Sequence, residues 1–297
     1  MASAERVGIV GLGRMGRPIA QNLVKAGYRV LGHDTNRAAL ESAAAFGVEV
    51  ATDLDALASR APIWLVVVPG ESEVREATSA LIRLMPRNGC VVICSTIDID
   101  VTLDVGAMAS RTGVAVCDAA LARGVPAARD GTLLIYCGGS DDAIARVRPI
   151  LDVIARDVVH VGVLGSGEIA KMLNNLLLWS NIAAVTEAMR LAIALGRDPT
   201  KMAEALSIGS GQSWVLDTWE RSRPMPDAED DLGRVLRTGS SLRVELPLAR
   251  VVERLIKDVK HEKAAWLHGG GVEESMAEFL RSRMPAASSP TQGDEPS

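Results

Sequence analysis

Aromatic residues are scarce in this chain: two Phe, two Tyr and five Trp make up 3% of its 297 residues. Proteins that read nucleic acid by base stacking need such rings beside a basic stripe, and the sequence offers no such stripe. Its acidic and basic residues are interspersed, with a formal net charge of −5. Nucleic acid is therefore not expected as a partner. Cysteine is also sparse. Cys90, Cys94, Cys117 and Cys137 include no C-x-x-C pair and no histidine cluster lies near them, so the pattern holds no zinc site. They sit mostly in apolar, strand-like runs and read as buried thiols of a reducing compartment. The opening MASAERVGIVGLG lacks a charged segment followed by an apolar one, so no secretory signal is expected. The longest apolar run, around residues 176–179, falls far short of the ~20 residues that span a bilayer. These absences lead to the expectation of a soluble, cytoplasmic protein with no membrane partner.

What is present is an apolar-rich chain, 48% hydrophobic, long enough for about two domains of ~100–200 residues each. Short apolar runs at 7–10, 29–33, 63–68, 91–94, 114–117 and 133–137 read as strands, with helical patterns at 16–26 and 37–46 stopped by Gly27 and Gly47. Strands that alternate with helices predict right-handed βαβ units and a doubly wound parallel sheet of the Rossmann type. From Gly167 to about Leu195 there is neither Gly nor Pro, which predicts one helix of ~29 residues, ~43 Å long at ~1.5 Å per residue. Ser166 suits its N-cap, Glu168 its positive end and Gly196 its stop. Its centre is apolar on nearly every face, as for a helix buried between domains or subunits. Helical patterns fill the rest. The expected organisation is an α/β domain over 1–164, the long helix opening an all-α domain over 165–284, and a polar tail, PAASSPTQGDEPS, over 285–297 whose composition suits disorder.

The first strand runs into Gly11-Leu12-Gly13-Arg14-Met15-Gly16, a G-x-G-x-x-G between a strand and a helix. In that context Gly11 permits the tight turn, Gly13 the approach of backbone amides to a pyrophosphate, and Gly16 close helix packing. The helix N-terminus then faces the diphosphate charge. Asp34 ends the second strand, 18 residues past Gly16, where a carboxylate accepts from ribose hydroxyls and repels a 2′-phosphate. The cofactor expected is NAD, with NADP left open because Arg37 lies three residues on. A strand–helix turn without ligand is the competing reading of the glycines. Val68-Pro69-Gly70 reads either as an adenosine-flanking loop or as a plain turn.

The stretch GIVGLGRMGRPIAQNLVKAGYRV resembles the opening of the β-hydroxyacid dehydrogenase family, with Met15-Gly16 and Ala20-x-Asn22-Leu23 its more distinctive parts. Cys94-Ser95-Thr96-Ile97 is similar to the family's strand-end Ser-Thr. Residues 118–125, DAALARGV, and the following Gly131-Thr132-Leu133 resemble its substrate loop, commonly D-A-P-V-S-G-G then G-T-L. Residues 165–175, GSGEIAKMLNN, resemble its catalytic helix start, G-x-G-x-x-x-K-x-x-N-N. The likeness covers about residues 5–250. It implies hydride transfer between NAD(H) and a small β-hydroxyacid or related aldehyde. Lys171 is then the acid/base and Asn175 its partner on the same helix face, four residues on. By the same resemblance Gly11, Leu12, Gly13, Arg14, Met15, Gly16, Asp34, Thr35, Val68, Pro69 and Thr96 hold the cofactor. Ser95, Ala122, Arg123, Gly124 and Asn174 meet the substrate. A homodimer or homotetramer sharing helices is the assembly implied. Alone, Lys171 also reads as a surface lysine whose stem lies along a helix.

Two departures bear on the substrate. The family's loop Ser and Gly are Ala122 and Arg123 here, which puts a guanidinium where a carboxylate, sulfonate or phosphate can be held in a fork. Equally, Arg123 can face solvent or pair with Asp130. The family's K-D-L appears as Asp230-Asp231-Leu232, which removes a lysine and adds a carboxylate. Two other functions fit the same pattern. An imine reductase shares the architecture, though such enzymes usually lack the lysine at this station. A non-catalytic NAD-binding sensor would not need Lys171 at all.

Overall fold

The computed structural model describes residues 5–219, 227–268, 279–280 and 282. The polar tail at 285–297 lies outside them. The chain divides into two compact units, residues 1–171 and 172–297.

The first unit is built on β1 (Arg6–Val10), α1 (Gly16–Lys25), β2 (Arg29–His33), α2 (Arg37–Ala44), β3 (Glu49–Ala51), α3 (Asp55–Ala58), β4 (Ile63–Val66), α4 (Glu71–Leu84), β5 (Cys90–Ile93), α5 (Ile99–Ala109), β6 (Ala115–Ala122), α6 (Gly124–Asp130), β7 (Leu133–Gly138), α7 (Asp141–Ile154) and β8 (Ala155–Gly162). The strands form one sheet in the order β3-β2-β1-β4-β5-β6-β7-β8. The chain leaves β1 in one direction across the sheet and returns to its other side at β4. That reversal is the switch point where open α/β sheets bind ligands. Side chains alternate between two cores. Val7 and Ile9 of β1, Ile63 and Leu65 of β4, and Cys90 and Val92 of β5 enter one core. Val10, Trp64, Val66, Val91 and Ile93 enter the other. Burial on both faces explains why these strands are continuously apolar in sequence. All four cysteines are free and buried. Burial pushes the thiols of Cys94 and Cys137 up, away from the reactive thiolate.

The sheet is mostly parallel, with one exception that sequence reading did not anticipate: β6 and β7 are antiparallel. The connection between them spans only residues 123–132, shorter than the dozen or so residues a parallel crossover needs. The edge strands β3 and β8 were also not anticipated. After a buried Ala155, β8 is exposed or half-buried throughout and carries charged residues, so it lacks the signature of a central strand.

The long helix is α8 (Ser166–Ala194), 29 residues as the sequence predicts. Its first turn belongs to the first unit. By length and composition it is the one helix among the described residues able to cross a membrane, with a mean hydropathy of 1.3 over its most apolar 18 residues. The core helix of a soluble protein meets the same criterion, and the short continuous apolar run noted above did not reveal it.

In the second unit, Trp179, Ile182 and Met189 of α8 share a core with Leu232 of α11 (Ala228–Ser241) and with Val252, Ile256 and Val259 of α12 (Pro247–His268). Among the described residues the unit also holds the shorter helices α9 (Pro199–Leu206) and α10 (Trp214–Asp217).

Candidate active site

The glycine turn leaves β1 with Gly11 at φ +93°, a conformation that L side chains rarely adopt. A Cβ at Gly11 would also run into the Val67 carbonyl, and one at Gly16 into the Gly11 carbonyl. Around Gly13, by contrast, nothing lies within 4 Å of a Cβ position. Two glycines therefore close the turn and the third opens space in front of it. That cradle at the start of α1 fits a dinucleotide diphosphate. Leu12 is buried in the core and its amide donates to Asp34 Oδ2 at 2.7 Å. The Asn36 amide donates to Asp34 Oδ1, also at 2.7 Å. Asp34 thus ties the end of β2 to the glycine turn. Arg14 and Thr35 are exposed and Met15 half-buried.

Beyond β4, the Val68 amide donates to Ser95 Oγ at 2.9 Å, and that hydroxyl reaches the Val66 carbonyl at 3.4 Å. Ser95 is buried, with both contacts internal, so it splints the Val68-Pro69 turn onto the end of β5. Thr96 beside it is half-buried and Pro69 exposed.

The segment read in sequence as a substrate loop is mostly strand. Residues 118–122 belong to β6, Arg123 is the turn, and Gly124 opens α6. Ala122 is buried, Gly124 exposed. Arg123 adopts φ +77°, where the family pattern has glycine. Its Nη1 donates to Asp157 Oδ2 at 2.7 Å and to the Thr132 carbonyl at 3.2 Å. The expected alternative partner, Asp130, is not the one found. Asp157 lies on β8, an element with no sequence signal, so this pair was not legible beforehand.

The start of α8 is anchored at two points, from β6 and from the segment that follows β5. Asp118 of β6 is fully buried. Its Oδ1 accepts from the Gly165 amide at 2.7 Å and its Oδ2 from the Glu168 amide at 2.8 Å. These are orphan donors of a helix start, so the capping carboxylate is Asp118 rather than the Ser166 side chain expected from sequence. Burial pushes the Asp118 carboxyl up, against the opposing pull of the Gly165, Glu168 and Gly167 amides. Glu168, 2% exposed, accepts from the Ile97 amide at 3.4 Å. Lys171 follows one turn later and is half-buried. Asn174 Nδ2 donates to Asn175 Oδ1 at 3.2 Å, and Asn175 is buried. Four residues beyond Asn175, Trp179 Nε1 donates to Asp231 Oδ2 at 3.0 Å, which fixes the first turn of α11 against α8. Asp230, next to it, is exposed.

The dinucleotide cradle at a switch point, together with the likenesses that follow, makes this an NAD(P)-dependent dehydrogenase acting on CH–OH groups. Residues 6–162 match the family model of the NAD-binding domain of 6-phosphogluconate dehydrogenase, and residues 165–268 that of the NAD-binding domain of NADP-dependent 3-hydroxyisobutyrate dehydrogenase. The chain belongs to the 3-hydroxyisobutyrate dehydrogenase-like β-hydroxyacid dehydrogenase family. It is 33% identical to human mitochondrial 3-hydroxyisobutyrate dehydrogenase over 233 residues, 77% of this chain and 68% of that protein. It is 31% identical to a Pseudomonas aeruginosa NAD-dependent L-serine dehydrogenase over 220 residues, 72% and 73% of the two chains. Among solved structures, a Mycobacterium tuberculosis 3-hydroxyisobutyrate dehydrogenase with L-serine has the same fold, with a TM-score of 0.81 at 24% identity over 94% of this chain and 99% of that one.

Proposed function

We propose that this chain transfers hydride between NAD(H) and a small hydroxyacid or aldehyde bearing an anionic group, with Lys171 as the acid/base. The observation that supports it most is the anchoring of the α8 start by Asp118 and Glu168, one turn before Lys171. The nicotinamide supplies or accepts the hydride. Residues 11–16 and the start of α1 hold the diphosphate, and Val68, Pro69 and Thr96 flank the dinucleotide. A carboxylate has roughly four acceptor positions, and the two amides on Asp34 leave room for ribose hydroxyls. Arg37, which would favour a 2′-phosphate, is paired with Glu41 at 3.0 Å. NAD is therefore the preferred cofactor.

Lys171 takes the hydroxyl proton during oxidation and returns it to the oxygen during reduction. Asn175, on its helix face, orients the substrate, with Asn174 alongside. Arg123 selects the anion, exchanging Asp157 for the substrate's charged group. Leu173 and Leu177 on α8 are 50% and 64% exposed, and we infer that a second copy of the chain covers them in a homo-oligomer.

The test is the rate of NADH and NADPH oxidation with short aldehydes carrying a carboxylate, a sulfonate or no charge, for wild type and Lys171→Ala. Turnover should be faster with NADH and with the anions, and should fall by roughly 10²–10⁴ in the variant. Cofactor binding with no turnover on any carbonyl would sink the reading.

A further inference from the structure

We propose that Asp118 is a positioning residue: its carboxylate holds the first turn of α8 so that Lys171 stands at the reacting oxygen. This rests on the acid/base reading of Lys171.

Three observations carry it. First, Asp118 reaches from the middle of the sheet to a helix that follows it 47 residues later, and its two oxygens take separate amides of that helix start. An ionised carboxylate accepts at both oxygens; a protonated one accepts more weakly at its hydroxyl oxygen and needs a partner for its own O–H. Second, the surroundings are cleared for it. A Cβ at Gly138 would run into Asp118 Oδ1, and one at Gly167 would lie 2.6 Å from Asp118 Oδ2. Glycines on both the strand and the helix thus make room for this group, alongside the Tyr136 carbonyl at Gly167 and the Val163 carbonyl at Gly138. Third, its burial works against its charge, since desolvation outweighs the amides and pushes the carboxyl up. An ordinary helix cap is a short side chain at the helix's own N-cap position, partly in water. A remote, fully buried carboxylate is a costly substitute for stability alone. It gains a fixed geometry: α8 starts at one place relative to β6.

Glu168 supplies the second fixed point, tying the same turn to Ile97, two residues beyond Ser95. Lys171 is three residues past Glu168, so its backbone moves rigidly with that turn. A displacement of ~1 Å at a reacting group can lower a rate about 100-fold.

The experiment is a double-mutant cycle of Asp118→Asn and Lys171→Met on the full chain, read by single-turnover rate, KM and NADH affinity. Asp118→Asn alone should lower the rate roughly tenfold to hundredfold, with KM and NADH affinity little changed. In the Lys171→Met background it should cause no further loss, because the two residues act as one unit. Asp118→Ser, a short uncharged acceptor, provides the same cycle should the asparagine amide prevent folding. Losses that multiply in the double variant, or a wild-type rate in Asp118→Asn, would overturn the proposal. A wild-type rate in Lys171→Met alone would remove the acid/base reading itself, and that result is visible without any change at Asp118.

Discussion

Among the positive-φ turns of the first unit, those at Gly11 and Arg123 are built in opposite ways. At Gly11, after β1, the turn has no side chain, because a Cβ there would collide with the Val67 carbonyl. At Arg123, after β6, the turn keeps a long side chain in a backbone conformation that costs an ordinary residue ~1–2 kcal/mol. In the proposed reading the first turn faces the diphosphate of the cofactor, which is the same whatever the substrate, and the requirement is space. The second stands beside the residues that the family likeness assigns to the substrate. The strain there coincides with a guanidinium that Asp157 and the Thr132 carbonyl hold in place.

Breaking the first turn should have the largest effect. Gly11→Ala combines a disfavoured φ with overpacking, so it should cost about 3 kcal/mol or more and abolish NADH binding. Fluorescence titration and thermal melting would check both. Arg123→Gly should act on chemistry and stability in opposite directions. Relief of the strain should raise stability by about 1 kcal/mol, while loss of a charge-assisted contact should reduce the preference for anionic over neutral aldehydes roughly tenfold to hundredfold. Melting curves together with kcat/KM ratios would measure the two. Asp157→Asn sharpens the comparison further. The Arg123–Asp157 pair is more than a third exposed on both sides, so its removal should change stability by less than ~1 kcal/mol. It should also free the guanidinium and lower KM for anionic substrates without affecting neutral ones.

The smallest expected effect is a pH dependence. The Asp118 carboxyl titrates above the ordinary aspartate value of ~3.9 in the folded chain. The folded state therefore binds this proton more tightly than the unfolded one. Its contribution to stability is fully present below ~3.9 and is lost as pH rises through the folded value. Asp118→Asn should flatten that part of a stability-against-pH curve, which chemical denaturation from acid to neutral pH would reveal.

What was legible in the sequence follows the same division. The strands around the switch point, the glycine turn and the 29-residue helix were readable because each rests on local rules: buried parallel strands are apolar, turns need glycine, and long helices exclude it. The antiparallel turn from β6 to β7, the edge strand β8, the Arg123–Asp157 pair and the capping by Asp118 depend on contacts between distant segments. Asp118 did leave one trace, a lone carboxylate at the end of the apolar run at 114–117. Asp157 left none.

The acid/base role of Lys171 is tested most directly by chemical rescue. Lys171→Ala should be almost inert with NADH and an anionic aldehyde, and its rate should rise with the concentration of added small primary amine while NADH affinity stays constant. A Lys171→Ala enzyme that turns over at the wild-type rate without any amine would contradict the account.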